Sequence, residues 1–192
     1  MRPRARIAEA AMYLLGTLIL AALVHFVTLL MIPLAAGRDA YARVAELGPA
    51  PGPYPLPDVS PTQRRFPFSD PAVAGAVCRF DLTAGPARVR IPLGRGGFAS
   101  LSFHSRRGAV FYALGDRAAT HGKMEALVVT AAQLRALVAQ DDEDNPSEDL
   151  RIVSPTSEGF VLARVFSELP DLLPAAQSEA NGLACATEAP PK

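Results

Sequence analysis

The chain has 192 residues, with 19 Lys and Arg set against 19 Asp and Glu, 49% hydrophobic residues, 18 Pro, 2 Cys and no Trp. That length suits one modest domain with an appendage. The charge balance excludes a globally basic nucleic-acid binder, the apolar content excludes disorder throughout, and two Cys exclude a disulfide-dense mini-protein or a four-Cys zinc site.

In chain order, residues 1–9 form a basic tip carrying Arg2, Arg4 and Arg6. Residues 10–37 then hold no Asp, Glu, Lys or Arg. Ala10–Ile32 alone would make a helix about 34 Å long, enough for a hydrocarbon core about 30 Å thick. Pro33 suits the end of such a span, and Tyr13 suits an interface. A cleaved signal peptide would have a shorter apolar core, so the expectation is an uncleaved, single-pass anchor over residues 10–36. The Arg-rich tip outweighs Arg38 and Arg43, which mix with Asp39 and Glu46, and this bias puts the N-terminus in the cytoplasm. Arg-rich, Lys-poor usage points to a bacterium, where the rest of the chain would be periplasmic and the anchor would sit in the inner membrane. His25 lies in mid-span, and an ionisable intramembrane residue is a functional candidate. A lone His equally suits a hydrogen bond to a neighbouring helix or to its own backbone, and it could ligate haem only with a partner chain.

Residues 37–73 read as a short juxtamembrane helix and a Pro-rich linker. Asp39 can cap a helix over 39–47, which Gly48-Pro49 stops. Eight prolines between Pro49 and Pro71 favour extended polyproline backbone and a semi-rigid spacer, part of which can pack along the domain surface, over a ligand for an aromatic-lined groove. Residues 74–192 read as a β-rich domain, with strands at 77–82, 87–91, 98–104, 109–114, 124–130, 150–153 and 159–166. Thr130 should cap a helix over 131–140, and a last helix over 170–181 should end at Gly182. The fold class is therefore an N-terminal transmembrane helix plus a mainly β (α+β) domain: an antiparallel sandwich or open barrel with one or two helices.

Cys78 and Cys185 would be joined in an oxidising compartment, closing a loop of about 107 residues worth roughly 3–5 kcal/mol. Ser100, Ser102, Ser105, His104 and Asp116 supply the residue types of an acyl-transfer site. No Gly-x-Ser-x-Gly elbow accompanies them, although Ser102 and His104 share one strand face. His104 and His121 lack the spacing of a metal pair. The acidic stretch Asp141–Asp149 lacks the spacing of a calcium loop, and Gly122-Lys123 does not complete a phosphate loop. No cofactor or metal is expected. Residues 79–123 carry eight basic and two acidic side chains, and residues 125–192 carry four basic and twelve acidic. The two halves either pair within the molecule or present opposite faces to a partner.

The order of segments resembles an uncharacterised family of bacterial single-span inner-membrane proteins, domain-of-unknown-function family 1254. The likeness rests on the anchor followed by Gly37-Arg38-Asp39-Ala40-Tyr41-Ala42-Arg43, on Ala76–Leu82, on Phe111-Tyr112-Ala113-Leu114-Gly115-Asp116-Arg117, and on Glu158–Val165. The Phe98–Phe103 strand is similar to one in a companion family, with Ala99 where a Trp is usual there. The resemblance lends no activity. It implies a single-span envelope protein working beside its companion, with Phe111, Tyr112, Asp116 and Arg117 as candidate interaction or pocket residues. The expected function is a membrane-anchored periplasmic accessory or interaction protein, whose partners are the lipid bilayer and an envelope protein rather than nucleic acid. A small-molecule or carbohydrate binding module is the alternative, and a hydrolase ranks below both.

Overall fold

A computed structural model describes residues 3–35, 39–57, 66, 69–94, 97–141 and 147–190. The centre of the acidic stretch, the middle of the Gly94–Gly97 loop, Pro61 and Pro67 lie outside the described residues. The chain divides into two compact units, Met1–Arg38 and Asp39–Lys192.

The first unit is one helix, α1 (Pro3–Ala35). Its segment Arg6–Ile32 has 27 residues, a mean hydropathy of 2.4 and no burial. At about 1.5 Å per residue it is long and apolar enough to cross a bilayer. Thr17 and Thr28 donate their hydroxyls to the carbonyls of Tyr13 (2.9 Å) and Val24 (2.8 Å), so both are satisfied within the helix. His25 shares a face with Thr17, Ala21 and Thr28, and its ring meets Phe26 edge-on at 6.2 Å.

The second unit stacks two sheets. Strands β1 (Gly52–Pro55), β2 (Val73–Asp81), β3 (Ala87–Pro92), β4 (Phe98–Ser105), β5 (Val110–Gly115), β6 (Lys123–Val129), β7 (Arg151–Val153), β8 (Glu158–Phe166) and β9 (Ala184–Thr187) are joined by helices α2 (Ala40–Ala45), α3 (Ala131–Gln140) and α4 (Leu173–Asn181). The five-stranded sheet runs β1-β2-β8-β4-β5, antiparallel throughout. The four-stranded sheet runs β7-β6-β3-β9, with only the β6–β7 pair parallel. Neither sheet closes into a barrel. Alternation decides which face each strand buries. In β4, Ala99, Leu101, Phe103 and Ser105 point into the core, and Ser100, Ser102 and His104 point out. In β3, Ala87, Val89 and Ile91 point in. These meet Ala76, Cys78 and Phe80 of β2, Val161, Ala163 and Val165 of β8, and Ala176 and Ala180 of α4 in one core.

Both helix caps foreseen in the sequence are present. The Asp39 carboxylate accepts from the Ala42 amide at 2.7 Å. Thr130 and Gln133 form a reciprocal capping box at 3.2 and 2.8 Å. The C-terminal helix begins instead as a 3-10 turn at Pro170–Leu172 before α4 takes over.

The Pro-rich run is built into the domain in part. Its Gly52–Pro55 portion is β1, paired with β2 in the register Pro53↔Cys78 and Pro55↔Ala76. A strand at a sheet edge is paired on one side only, so residues without an N–H are tolerated there. Ahead of it, α2 lays Tyr41 and Val44 on the outer face of the same sheet, against Val77 and Phe160. The outward residues of β8 include the apolar Phe160 and Leu162 because α2 and β1 partly cover them.

The disulfide joins Cys78 of β2 to Cys185 of β9, with Cα atoms 6.4 Å apart and 107 residues between them in sequence. It therefore ties one sheet to the other. The charge asymmetry is resolved in part inside the molecule, where Arg88, Arg106 and Lys123 of the basic half pair with carboxylates of the acidic half. Arg88 of β3 makes a bidentate pair with Asp149 (2.8 and 2.9 Å), a bond to Glu125 (3.1 Å) and a contact with Glu188. Arg151 grips Asp141 with two bonds of 2.6 Å. Both described ends of the acidic stretch are thus held by arginines.

Candidate functional site

Hydrogen-bonding side chains converge on the outer face of the five-stranded sheet. Along β4, Ser100, Ser102 and His104 lie in line, two residues apart. Across from them on β8, the register places Arg164 opposite Ser100, Leu162 opposite Ser102 and Phe160 opposite His104. On the other side, β5 puts Gly115 opposite Ser100, Ala113 opposite Ser102 and Val110 opposite His104. On the β5 side this face is small at Gly115 and Ala113. Phe98 (53% exposed) and Phe166 (42% exposed) stand at one end, and the His104 ring stands at the other.

The Ser102 hydroxyl lies 3.0 Å from His104 Nε2. The other ring nitrogen, Nδ1, lies 3.1 Å from the carbonyl oxygen of Gly108. A carbonyl only accepts, so Nδ1 carries the proton and Nε2 is left bare to accept from Ser102. Burial pushes the imidazole of His104 below its ordinary value; the Gly108 carbonyl opposes this, and the positive charge of Arg164 adds to it. The shift favours the neutral ring. It is stacked flat on Phe160, with centroids 4.5 Å apart and planes 7° apart.

Several local features produce this arrangement. Between Phe103 and His104 the β4–β5 register slips, because Phe103 faces Tyr112 while His104 faces Val110. Phe111 is the extra residue of a β-bulge, which twists the hairpin that follows. Gly108, at φ 82°, closes that hairpin with its carbonyl turned back to His104. Gly159 of β8 carries no side chain where one would strike both Phe80 and the His104 carbonyl. From the far side, Tyr41 of α2 packs on Phe160 at 6.4 Å. Arg106 sits 4.1 Å over the Tyr41 ring and bonds the Asp39 carboxylate at 3.0 Å. Arg79 donates to the Gly48 carbonyl at 2.6 Å. The short helix thus supports Phe160, and Phe160 supports His104.

The residues singled out in the sequence are spread more widely. Phe111 and Tyr112 both pack on Phe103, each at 6.3 Å. The bulge is what places two consecutive rings on one partner. Asp116 and Arg117 open a 3-10 turn after β5, whose first carbonyl accepts from Ala119 at 3.0 Å. Among the described residues no salt bridge joins them, and Arg117 is exposed. His121 occupies a tight turn at φ 52°, whereas His104 lies on β4. Among the described residues no cluster of three or more His, Cys, Asp or Glu is placed to hold a metal ion. Arg164 escaped the sequence reading. Its signal was an outward β8 row, Phe160-Leu162-Arg164-Phe166, too apolar for a bare solvent face with one charge set in it.

The profile of a family described as "Protein of unknown function (DUF1254)" matches residues 56–187. Two solved structures show similarity. The VPA0106 protein from Vibrio parahaemolyticus has 13% identity and a TM-score of 0.48, over 63% of this chain and 29% of that one. An uncharacterized protein from Burkholderia cenocepacia has 14% identity and a TM-score of 0.41, over 66% of this chain and 33% of that one. The chain spans about a third or less of each of these structures. No curated protein matches the sequence.

Proposed function

Because the chain belongs to the DUF1254 family, whose description names no activity, we propose a function from the chain's own geometry: a membrane-anchored bacterial envelope protein whose disulfide-bonded domain docks a protein partner along β5. The anchor reading rests on the length and bareness of α1. The oxidising, periplasmic placement rests on the Cys78–Cys185 bond. The observation that carries the docking role is the β5 edge. It is the last strand of its sheet and the segment Val110-Phe111-Tyr112-Ala113-Leu114-Gly115 has no charge, with Val110 58% and Tyr112 40% exposed. An edge of this kind presents unpaired N–H and C=O groups, and proteins that do not use one usually protect it with Lys or Pro. An extended segment of a partner can add to it as a further strand.

The test is crosslinking in native membranes with the wild type and with Val110→Lys and Ala113→Lys. Both positions are exposed, so the fold should tolerate them to within about 0.5 kcal/mol. Loss of a discrete crosslinked species in both variants supports docking at β5; an unchanged crosslink pattern refutes it. Reporter fusions after residue 60 test the placement, and activity confined to the cytoplasm would overturn it.

A further inference from the structure

Beyond a docking role, we propose that Ser102 is an acylable nucleophile activated by His104, and that the outer face of the five-stranded sheet hydrolyses carboxylic esters. The roles follow from geometry. Ser102 Oγ–H donates to Nε2 at 3.0 Å, and the Gly108 carbonyl at 3.1 Å from Nδ1 fixes the tautomer, the task an acidic residue performs in a Ser-His-Asp triad. The flat stack on Phe160 holds the ring in plane. Arg164 lies diagonal to Ser102 across the β4–β8 pair and carries a positive charge on the same sheet face. It is the group available to an oxyanion forming over the Ser102 position. Phe98 and Phe166 give the acyl or alcohol portion an apolar wall. Ala113 and Gly115 are the small β5 neighbours of Ser102 and Ser100.

The reaction is balanced by water alone. Ser102 Oγ forms a bond to the ester carbonyl carbon as its proton passes to His104 Nε2. The C–O bond to the alcohol breaks, and the alcohol leaves with that proton. Water then adds to the acyl–Ser102 ester, giving its proton to Nε2, and the C–Oγ bond breaks to release the carboxylic acid. The proton returns to Ser102, and nothing is oxidised or reduced.

The experiment uses the full chain in detergent, a fluorophosphonate probe that labels activated serines, and p-nitrophenyl butyrate. The expected result is a single adduct, mapped by peptide mass to Ser102. It should be absent in Ser102→Ala, slowed by about 100-fold or more in His104→Gln, and unchanged in Ser178→Ala, an exposed serine of α4 outside this sheet face. Ester turnover should follow the same order. Thermal unfolding of each variant separates loss of the site from loss of the fold, and Phe160→Leu gives a second, milder way to loosen His104. No adduct on the folded wild type, an adduct on another residue, or His104→Gln labelling at the wild-type rate would each overturn the proposal. These outcomes are independent of the Val110→Lys crosslinking result, so either reading can fail alone.

Discussion

Removing the bond between the sheets should cost this protein a large share of its stability. Cys78 is 1% exposed on β2, and Cys185 sits on β9, whose four residues pair only with β3. Across the 107-residue separation, the chain-entropy model gives about 4–5 kcal/mol of stabilisation at 25 °C, through restriction of the unfolded chain. For a domain near 150 residues, about 1 kcal/mol shifts Tm by roughly 2–4 °C, so Cys185→Ala should lower Tm by about 8–20 °C. The loss should appear as a lower denaturant midpoint with a steeper dependence on denaturant, because the unbridged chain exposes more surface when unfolded. With no Trp, the transition is best followed by far-UV circular dichroism, on the full chain with and without reductant. Cys78→Ala should lose somewhat more, since it also leaves a small void in the core. Reduced wild type should match Cys185→Ala. The reasoning fails if Cys185→Ala unfolds within about 1 kcal/mol of the oxidised wild type. It also fails if the denatured, unreduced protein alkylates at both cysteines.

Two more substitutions probe the packing and the charge network. Phe103, fully buried between Phe111 and Tyr112, should cost about 3–5 kcal/mol when changed to Ala, as measured by chemical denaturation; a loss under about 1 kcal/mol would mean that its site collapses around the gap. Arg88 holds the Asp149 carboxyl below its ordinary value of 3.8. The unfolded chain therefore takes up this proton first as pH falls, and the stabilisation is present above the ordinary aspartate range and lost as pH drops through the native value. Asp149→Asn should lose about 1 kcal/mol near pH 7, since Glu125 and Glu188 still flank Arg88. The two stability curves should converge below the native value, and a gap that stays constant down to that pH would contradict the pairing.

The sequence by itself determined the features that depend on local period and local chemistry. An uncharged run longer than a bilayer could only be α1. Alternation of apolar and polar residues set the inward and outward faces of β3 and β4. Asp39 and Thr130 marked two helix starts through side chains that reach their own backbone. The pairing of Cys78 with Cys185 was the one bridge that two cysteines allow, expected in an oxidising compartment. The tertiary structure alone decided how β1 and β9 are used. Each is four residues long, too short to carry a period of its own, and becomes a strand only because β2 and β3 offer open edges. It also decided that the Gly52–Pro55 part of the Pro-rich run pairs as a strand and that α2 covers part of the outer sheet face. The candidate site belongs to the same category. Ser102 and His104 share a face by sequence, but their hydrogen bond depends on the bulge at Phe111, the turned-back carbonyl of Gly108 and the Phe160 ring braced by Tyr41. Arg164 joins them through a register set by residues some sixty positions away. Such contacts are fixed by how the strands pair and the sheets close on one core, which no window along the chain contains.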